Sequence, residues 1–169
     1  FLFPSREVAY KVMDGPIGDQ LDKKLEDKGF IALGFMELGS RQVTNSVRPI
    51  KTMADLKGLK IRLQPNETHL ATFRALGANP LAMDIREVYS AMEQKVIDGH
   101  ENPYNLIYDS RFFEVQKYVS NTGHFFDFIA VVAKKMPMSA PASGLMTSLP
   151  KLRASASKPL SIPWSRPSR

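Results

Sequence analysis

The sequence predicts an α/β fold in which helices alternate with short strands that lie largely parallel in a sheet. Two kinds of pattern carry this. "LKIRL" (Leu59–Leu63) alternates apolar and basic residues at period two, and "HFFDFIAVVA" (His124–Ala133) is the most strand-like run in the chain. Between such runs lie segments with apolar spacing near 3.6, each opened by a capping residue and closed by glycine.

Taken in order, residues 7–28 have helical spacing interrupted at "DGPIG", where Gly15 and Pro16 break the pattern. "GFIALGF" offers a strand over Ile31–Phe35. Thr52 with Asp55 three positions on is a capping pair for one helical turn ending at Gly58. After "LKIRL", Asn66 is an N-cap for a helix through Leu70, Phe73 and Leu76 that stops at Gly77. Asp84 and Glu87 form a second capping pair, opening a helix on which Ile85, Val88, Tyr89 and Met92 share one face. "VIDG" reads as a short strand, residues 103–118 as a helix, and residues 125–133 as the last strand. A chain of 169 residues has room for one domain with one core.

Charge divides the chain. Residues 1–135 carry 18 Lys and Arg against 17 Asp and Glu, whereas residues 136–169 carry 5 basic residues and no acid. Of the net +6, +5 belongs to the tail, and the body, at +1, has no electrostatic footprint for nucleic acid. The tail holds 6 Pro and 8 Ser in 34 residues without apolar periodicity, so it reads as disordered or as out-of-frame translation. No apolar run approaches the roughly 20 residues that span a bilayer, and no direct membrane insertion is expected. With no cysteine, disulfides, thiolate metal sites and thiol nucleophiles are excluded. His69, His100 and His124 are too scattered for a metal signature, and neither metal nor cofactor is expected. No phosphate-binding glycine loop, dinucleotide fingerprint or serine-nucleophile motif is present, and the chain does not read as an enzyme.

Arg62 stands out. It lies at the carboxyl end of a predicted strand, with a capped helix starting about four residues later. Open α/β sheets bind ligands outside the carboxyl ends of their strands, where a helix N-terminus adds free N–H groups and partial positive charge. A guanidinium fork there matches a carboxylate. From spacing alone, a surface ion pair with a neighbouring acid is the commoner use of an arginine on a sheet and the favoured one for Arg62, and Asn102 beside Pro103 reads as turn chemistry.

The segments "GSRQVTNSVRPI", "TMADLKGLKIRLQ", "ALGANPLAMDIREVYSAMEQKVIDGHENPYNLI" and "FFEVQKYVSNTGHFF" together resemble the signature blocks of the solute-binding receptors of TRAP transporters, the DctP-type family. The resemblance runs over residues 1–135. It implies a periplasmic-binding-protein-like, two-lobed α/β receptor that closes over a small organic acid and delivers it to an ion-gradient-driven TRAP membrane permease. Residues 1–135 would then be one lobe with part of the hinge and of the other lobe. The signal peptide, the first elements of one lobe and the C-terminal helices would be missing, and the tail 136–169 would replace those helices.

The same resemblance assigns roles. Arg62 matches the family's carboxylate-anchoring arginine, and Asn102 the amide that hydrogen-bonds the ligand carboxylate. Arg41 matches a second arginine lining the cleft, Asn66 sits near the anion as helix cap, and His124 matches a cleft-side histidine. Ile85 stands where the family often has an aromatic against the ligand, which leaves the substrate open. Two other readings are a truncated or frameshifted gene fragment without function, and a small α/β enzyme acting on a carboxylic acid.

Overall fold

The structure, a computed structural model, describes residues 2–135; the tail reading therefore falls outside the described residues. The described residues divide into two compact units, one of Leu2 with Gly39–Asp127 and one of Phe3–Leu38 with residues 128–135.

The second unit begins with two helices. Ser5 caps α1 (Arg6–Met13), its hydroxyl accepting from the Val8 amide at 3.3 Å, and Pro16 opens α2 (Pro16–Asp27) at the position where its missing N–H costs nothing. Gly18 is needed here, because a Cβ would fall 1.8 Å from the Met13 carbonyl oxygen. The Tyr10 ring meets Phe128 edge-on, centroids 5.8 Å apart.

Strand β1 (Phe30–Asn45) runs from this unit into the first, far beyond the predicted five residues. Its second half, "SRQVTN", looks like loop because its polar residues break the apolar alternation. Arg41 to Asn45 are nevertheless buried: Arg41 meets Glu101 and Asp127, and Asn45 Oδ1 accepts from the Val47 and Arg48 amides, while Asn45 Nδ2 has no hydrogen-bond partner among the described residues.

The first unit holds β2 (Lys60–Leu63), α3 (Glu67–Ala75), β3 (Asn79–Ala82), α4 (Ile85–Glu93), β4 (Gly99–Pro103), α5 (Tyr104–Asp109) and β5 (Tyr118–Ser120); β6 (Phe126–Lys134) starts in it and pairs with β1. The sheet order is β3-β2-β4-β1-β5. The pairs β2–β3 and β2–β4 are parallel, as α3 and α4 crossovers require, while β1 lies antiparallel to β4 and β5. The sheet is therefore mixed, with its parallel part built from the predicted β2 and its crossovers.

Instead of one core there are two apolar clusters. One joins Leu59, Ile61 and Leu63 to Leu70 and Phe73 of α3; the other joins Val88 and Met92 of α4 to Ile97, Ile107 of α5 and Phe112. Side chains alternate across a strand, so Ile61 and Leu63 bury one face while Arg62 lies on the other, which the second cluster covers.

Several predicted boundaries shift. "VIDG" is not a strand: Lys95 takes a left-handed conformation after α4, Ile97 fills the second cluster, and Asp98 accepts from the Lys60 amide at 2.8 Å. The strand starts at Gly99, where a Cβ would meet the Thr44 carbonyl oxygen at 1.9 Å. The helix predicted over 103–118 ends at Asp109, because Arg111 turns left-handed before a 3-10 turn at Phe112–Glu114. β3 went unpredicted since Pro80 argues against a strand, yet β3 is the edge of this sheet, where proline is tolerated. The Asp84–Glu87 pair does not close as a capping box: the Asp84 carboxylate accepts instead from the Arg86 amide and guanidinium.

Candidate functional site

The path of the chain singles out the carboxyl ends of β2 and β4. After β2 it turns into α3 over the first cluster, and after β4 into α5 over the second. Neighbouring parallel strands whose connections leave to opposite faces open a crevice between them, the topological switch point of an α/β sheet. Arg62 of β2 pairs in register with His100 of β4, and Asn102 follows two residues on. Arg62, His100 and Asn102 thus share one face of adjacent strands at that point.

Arg62 is 3 % exposed. Its Nε and Nη2 donate to the Met83 carbonyl at 2.8 and 2.6 Å, and it makes no ion pair among the described residues. Burial lowers its pKa; the fields of Glu101 and Asp84 oppose this, and that of Arg41 adds to it. The guanidinium stays charged, clamped at its Nε side, with Nη1 free of any protein acceptor among the described residues. A buried, unneutralised cation is costly to hold, since desolvation takes several kcal/mol that an ion pair would normally offset.

Arg41 is equally buried but fully engaged. Nε and Nη2 form a fork on the Glu101 carboxylate, Nη1 donates to Asp127 at 3.0 Å, and Nη2 also donates to the Glu101 carbonyl and to Asn102 Oδ1, each at 2.9 Å. Burial opposes its charge, but Glu101 and Asp127 outweigh that and raise its pKa. Glu101 is 0 % exposed and accepts additionally from His124 Nε2 at 3.2 Å. Burial would favour its neutral acid; the His124 and Arg41 hydrogen bonds prevail and hold its pKa low. His124 Nδ1 lies 2.7 Å from the Thr122 hydroxyl. One arginine is therefore neutralised inside the fold and the other is not.

Asn102 joins the two. Its Oδ1 accepts from Arg41, and its Nδ2 donates to His100 Nδ1 at 3.2 Å. Asn66 caps α3, its Oδ1 accepting from the His69 amide at 3.2 Å. Ile85 is the exposed first residue of α4, one residue past Asp84 and two past the Met83 carbonyl that clamps Arg62. The structure thus joins Arg62, Asn102, Arg41 and His124 through β2, β4 and the Glu101 network, while Asn66 and Ile85 stand exposed at helix starts after β2 and β3. Sequence reading passed over Glu101, His100 and Asp127. Glu101 and His100 flank the chosen Asn102 in "GHENP", and a charge between two such positions on a buried strand is the signal that could have found Glu101.

Comparisons with known proteins place this geometry in a family. Residues 1–136 match the family described as DctP, bacterial extracellular solute-binding protein family 7. The chain is 46 % identical over 135 residues to the 2,3-diketo-L-gulonate-binding periplasmic protein YiaO of Escherichia coli, covering 80 % of this chain and 41 % of that one. A TRAP periplasmic solute-binding protein from Polaromonas, solved with D-erythronate, superposes with a TM-score of 0.80 at 36 % identity over 93 % of this chain and 50 % of its own. The sugar acid binding protein DctPAm from Advenella mimigardefordensis, solved with galactonate, gives 0.78 at 35 % identity over 92 % and 49 %. The chain spans about half the length of these relatives. It belongs to the DctP family of TRAP solute-binding proteins.

Proposed function

We propose that this protein is a periplasmic solute receptor that binds a small organic acid by its carboxylate and passes it to a TRAP membrane permease, without catalysing a reaction. The observation that carries the reading is the buried Arg62 guanidinium, which has no protein counter-ion among the described residues while the adjacent Arg41 has two. An incoming carboxylate supplies the missing charge. The Met83 carbonyl occupies Nε and one hydrogen of Nη2, so the edge formed by Nη1 and Nη2 is left for a bidentate contact. The second N–H of Asn102, beside it on β4, serves a remaining carboxylate lone pair. Arg41, Glu101 and His124 hold Asn102 and the strand in place rather than carrying a second anion. The relatives named above bind sugar acids, and an acid with one carboxylate and several hydroxyls suits one unneutralised fork.

Against acid–base work by a carboxylate pair stands the placement of Glu93, exposed at the end of α4, and Glu101, buried under Arg41. Isothermal titration calorimetry of the full-length protein against 2,3-diketo-L-gulonate, D-erythronate, galactonate and succinate tests the reading. Micromolar or tighter binding of a sugar acid, lost in Arg62→Ala, is expected. Failure of every acid to bind would leave the family assignment standing and favour a non-functional chain.

A further inference from the structure

His100 is the residue whose placement the carboxylate reading leaves unexplained. It is 0 % exposed, it is the in-register neighbour of Arg62, and its Nε2 has no hydrogen-bond partner among the described residues. A buried donor without an acceptor carries a stability cost, so a stabilising role alone is a poor account of it. On the other side of the ring, Nδ1 lies 3.2 Å from Asn102 Nδ2. An amide nitrogen only donates, so Nδ1 must be the unprotonated, accepting nitrogen and Nε2 must bear the hydrogen. The ring's nearest aromatic contact is Phe112, centroids 4.5 Å apart at 67°.

This fixes the polarity of Asn102 from two sides. Arg41 Nη2 demands an acceptor and takes Oδ1 at 2.9 Å; His100 Nδ1 demands a donor and takes Nδ2. Turning the amide over would set its NH2 against a guanidinium N–H and its oxygen against an imidazole lone pair. The remaining N–H of Nδ2 is then the donor that Asn102 has left to offer. Burial keeps His100 in the neutral form that this arrangement requires.

We propose that His100 is a positioning residue that locks the Asn102 side chain as a hydrogen-bond donor, so that the site accepts a carboxylate and discriminates against the matching neutral carboxamide. A carboxylate oxygen can only accept, whereas an amide NH2 presented to Asn102 Nδ2 would face a second donor. The inference rests on the carboxylate reading above.

Two measurements test it in the full-length protein. Nitrogen-15 NMR of the labelled protein reads the His100 tautomer without ligand: protonated Nε2, unprotonated Nδ1 and no titration between pH 5 and 8 are expected, and a protonated Nδ1 or a mid-range titration overturns the proposal. Calorimetry with galactonate and galactonamide reads the discrimination. His100→Leu removes the acceptor and should lower the acid-to-amide affinity ratio about 10-fold, the size of one hydrogen bond to a charged group. His100→Gln, whose amide oxygen can accept from Asn102, should restore most of it. An unchanged ratio in folded His100→Leu refutes the assignment. So does a loss in both variants of equal size, which would indicate packing alone. If the unsubstituted protein binds no galactonate, the substrate reading is at fault rather than His100, and the tautomer measurement decides.

Discussion

Replacing Arg62 with methionine should abolish binding while leaving the fold nearly as stable as before, whereas the same change at Arg41 should do the reverse to stability. The difference follows from their counter-ions. Removing Arg41 strands Glu101, which is 0 % exposed, with only His124 for a partner, and breaking a buried pair from one side costs about 3–5 kcal/mol. At roughly 2–4 °C per kcal/mol for a domain of this size, the midpoint should fall by about 6–20 °C. Removing Arg62 forfeits two hydrogen bonds to one carbonyl, at 2.8 and 2.6 Å, but also relieves an unneutralised buried charge whose desolvation costs several kcal/mol. The two nearly cancel, and a shift within about 5 °C is expected. For binding, truncating one side of a buried ligand ion pair costs about 2–5 kcal/mol, or about 30- to 5,000-fold in Kd. Differential scanning calorimetry of both variants, with titration of galactonate into each, supplies the numbers. If Arg62→Met is as destabilising as Arg41→Met and binds the acid normally, then Arg62 is a structural cation and the reasoning fails.

Three further outcomes follow from the same geometry. Arg62→Lys should recover little of the lost affinity in the same titration, because an ammonium keeps the charge but lacks the planar fork that sets two parallel N–H groups against a carboxylate while its other edge holds the Met83 carbonyl. Stability should decline on acidification: His100, whose pKa burial lowers from 6.5 to about 3, binds its proton in the unfolded chain first, so its contribution is complete above pH 6.5 and is lost progressively toward pH 3 at about 1.4 kcal/mol per pH unit. His69, also lowered by burial, adds in the same direction, and urea unfolding at pH 7 and 5 should show a shallower decline in His100→Gln. Gly99→Ala should lower the unfolding free energy read from urea titration by about 1–3 kcal/mol and weaken ligand binding as well, since a Cβ 1.9 Å from the Thr44 carbonyl must push β4, with Glu101 and Asn102, away from β1.

The elements that could be read from sequence were those whose local signals agree with their tertiary setting. Asn66 and the Thr52–Asp55 pair cap as expected, and "LKIRL" is a strand with Arg62 on the face opposite Ile61. What escaped was whatever long-range pairing decides. The second half of β1 is polar and buried, a combination that only the Arg41–Glu101–Asp127 network makes tolerable, and that network joins residues 60 and 86 positions apart. The second apolar cluster, likewise, is invisible until α4 and α5 are seen to cover the face that Arg62 shares. Arg62 and Asn102 could be chosen from the family's motif blocks. That Arg41 is neutralised while Arg62 is not could not, because the distinction depends on where two carboxylates come to rest. The same holds for His100, whose meaning lies in the 3.2 Å contact to Asn102 rather than in its spacing.

The central claim is that the buried guanidinium of Arg62, which makes no ion pair among the described residues, is the anchor for a ligand carboxylate. A crystal structure of the full-length protein grown with galactonate tests it most directly. Two carboxylate oxygens within about 3 Å of Arg62 Nη1 and Nη2, with a third contact from Asn102 Nδ2, are predicted. A carboxylate bound elsewhere, with Arg62 still joined only to the Met83 carbonyl, would contradict it.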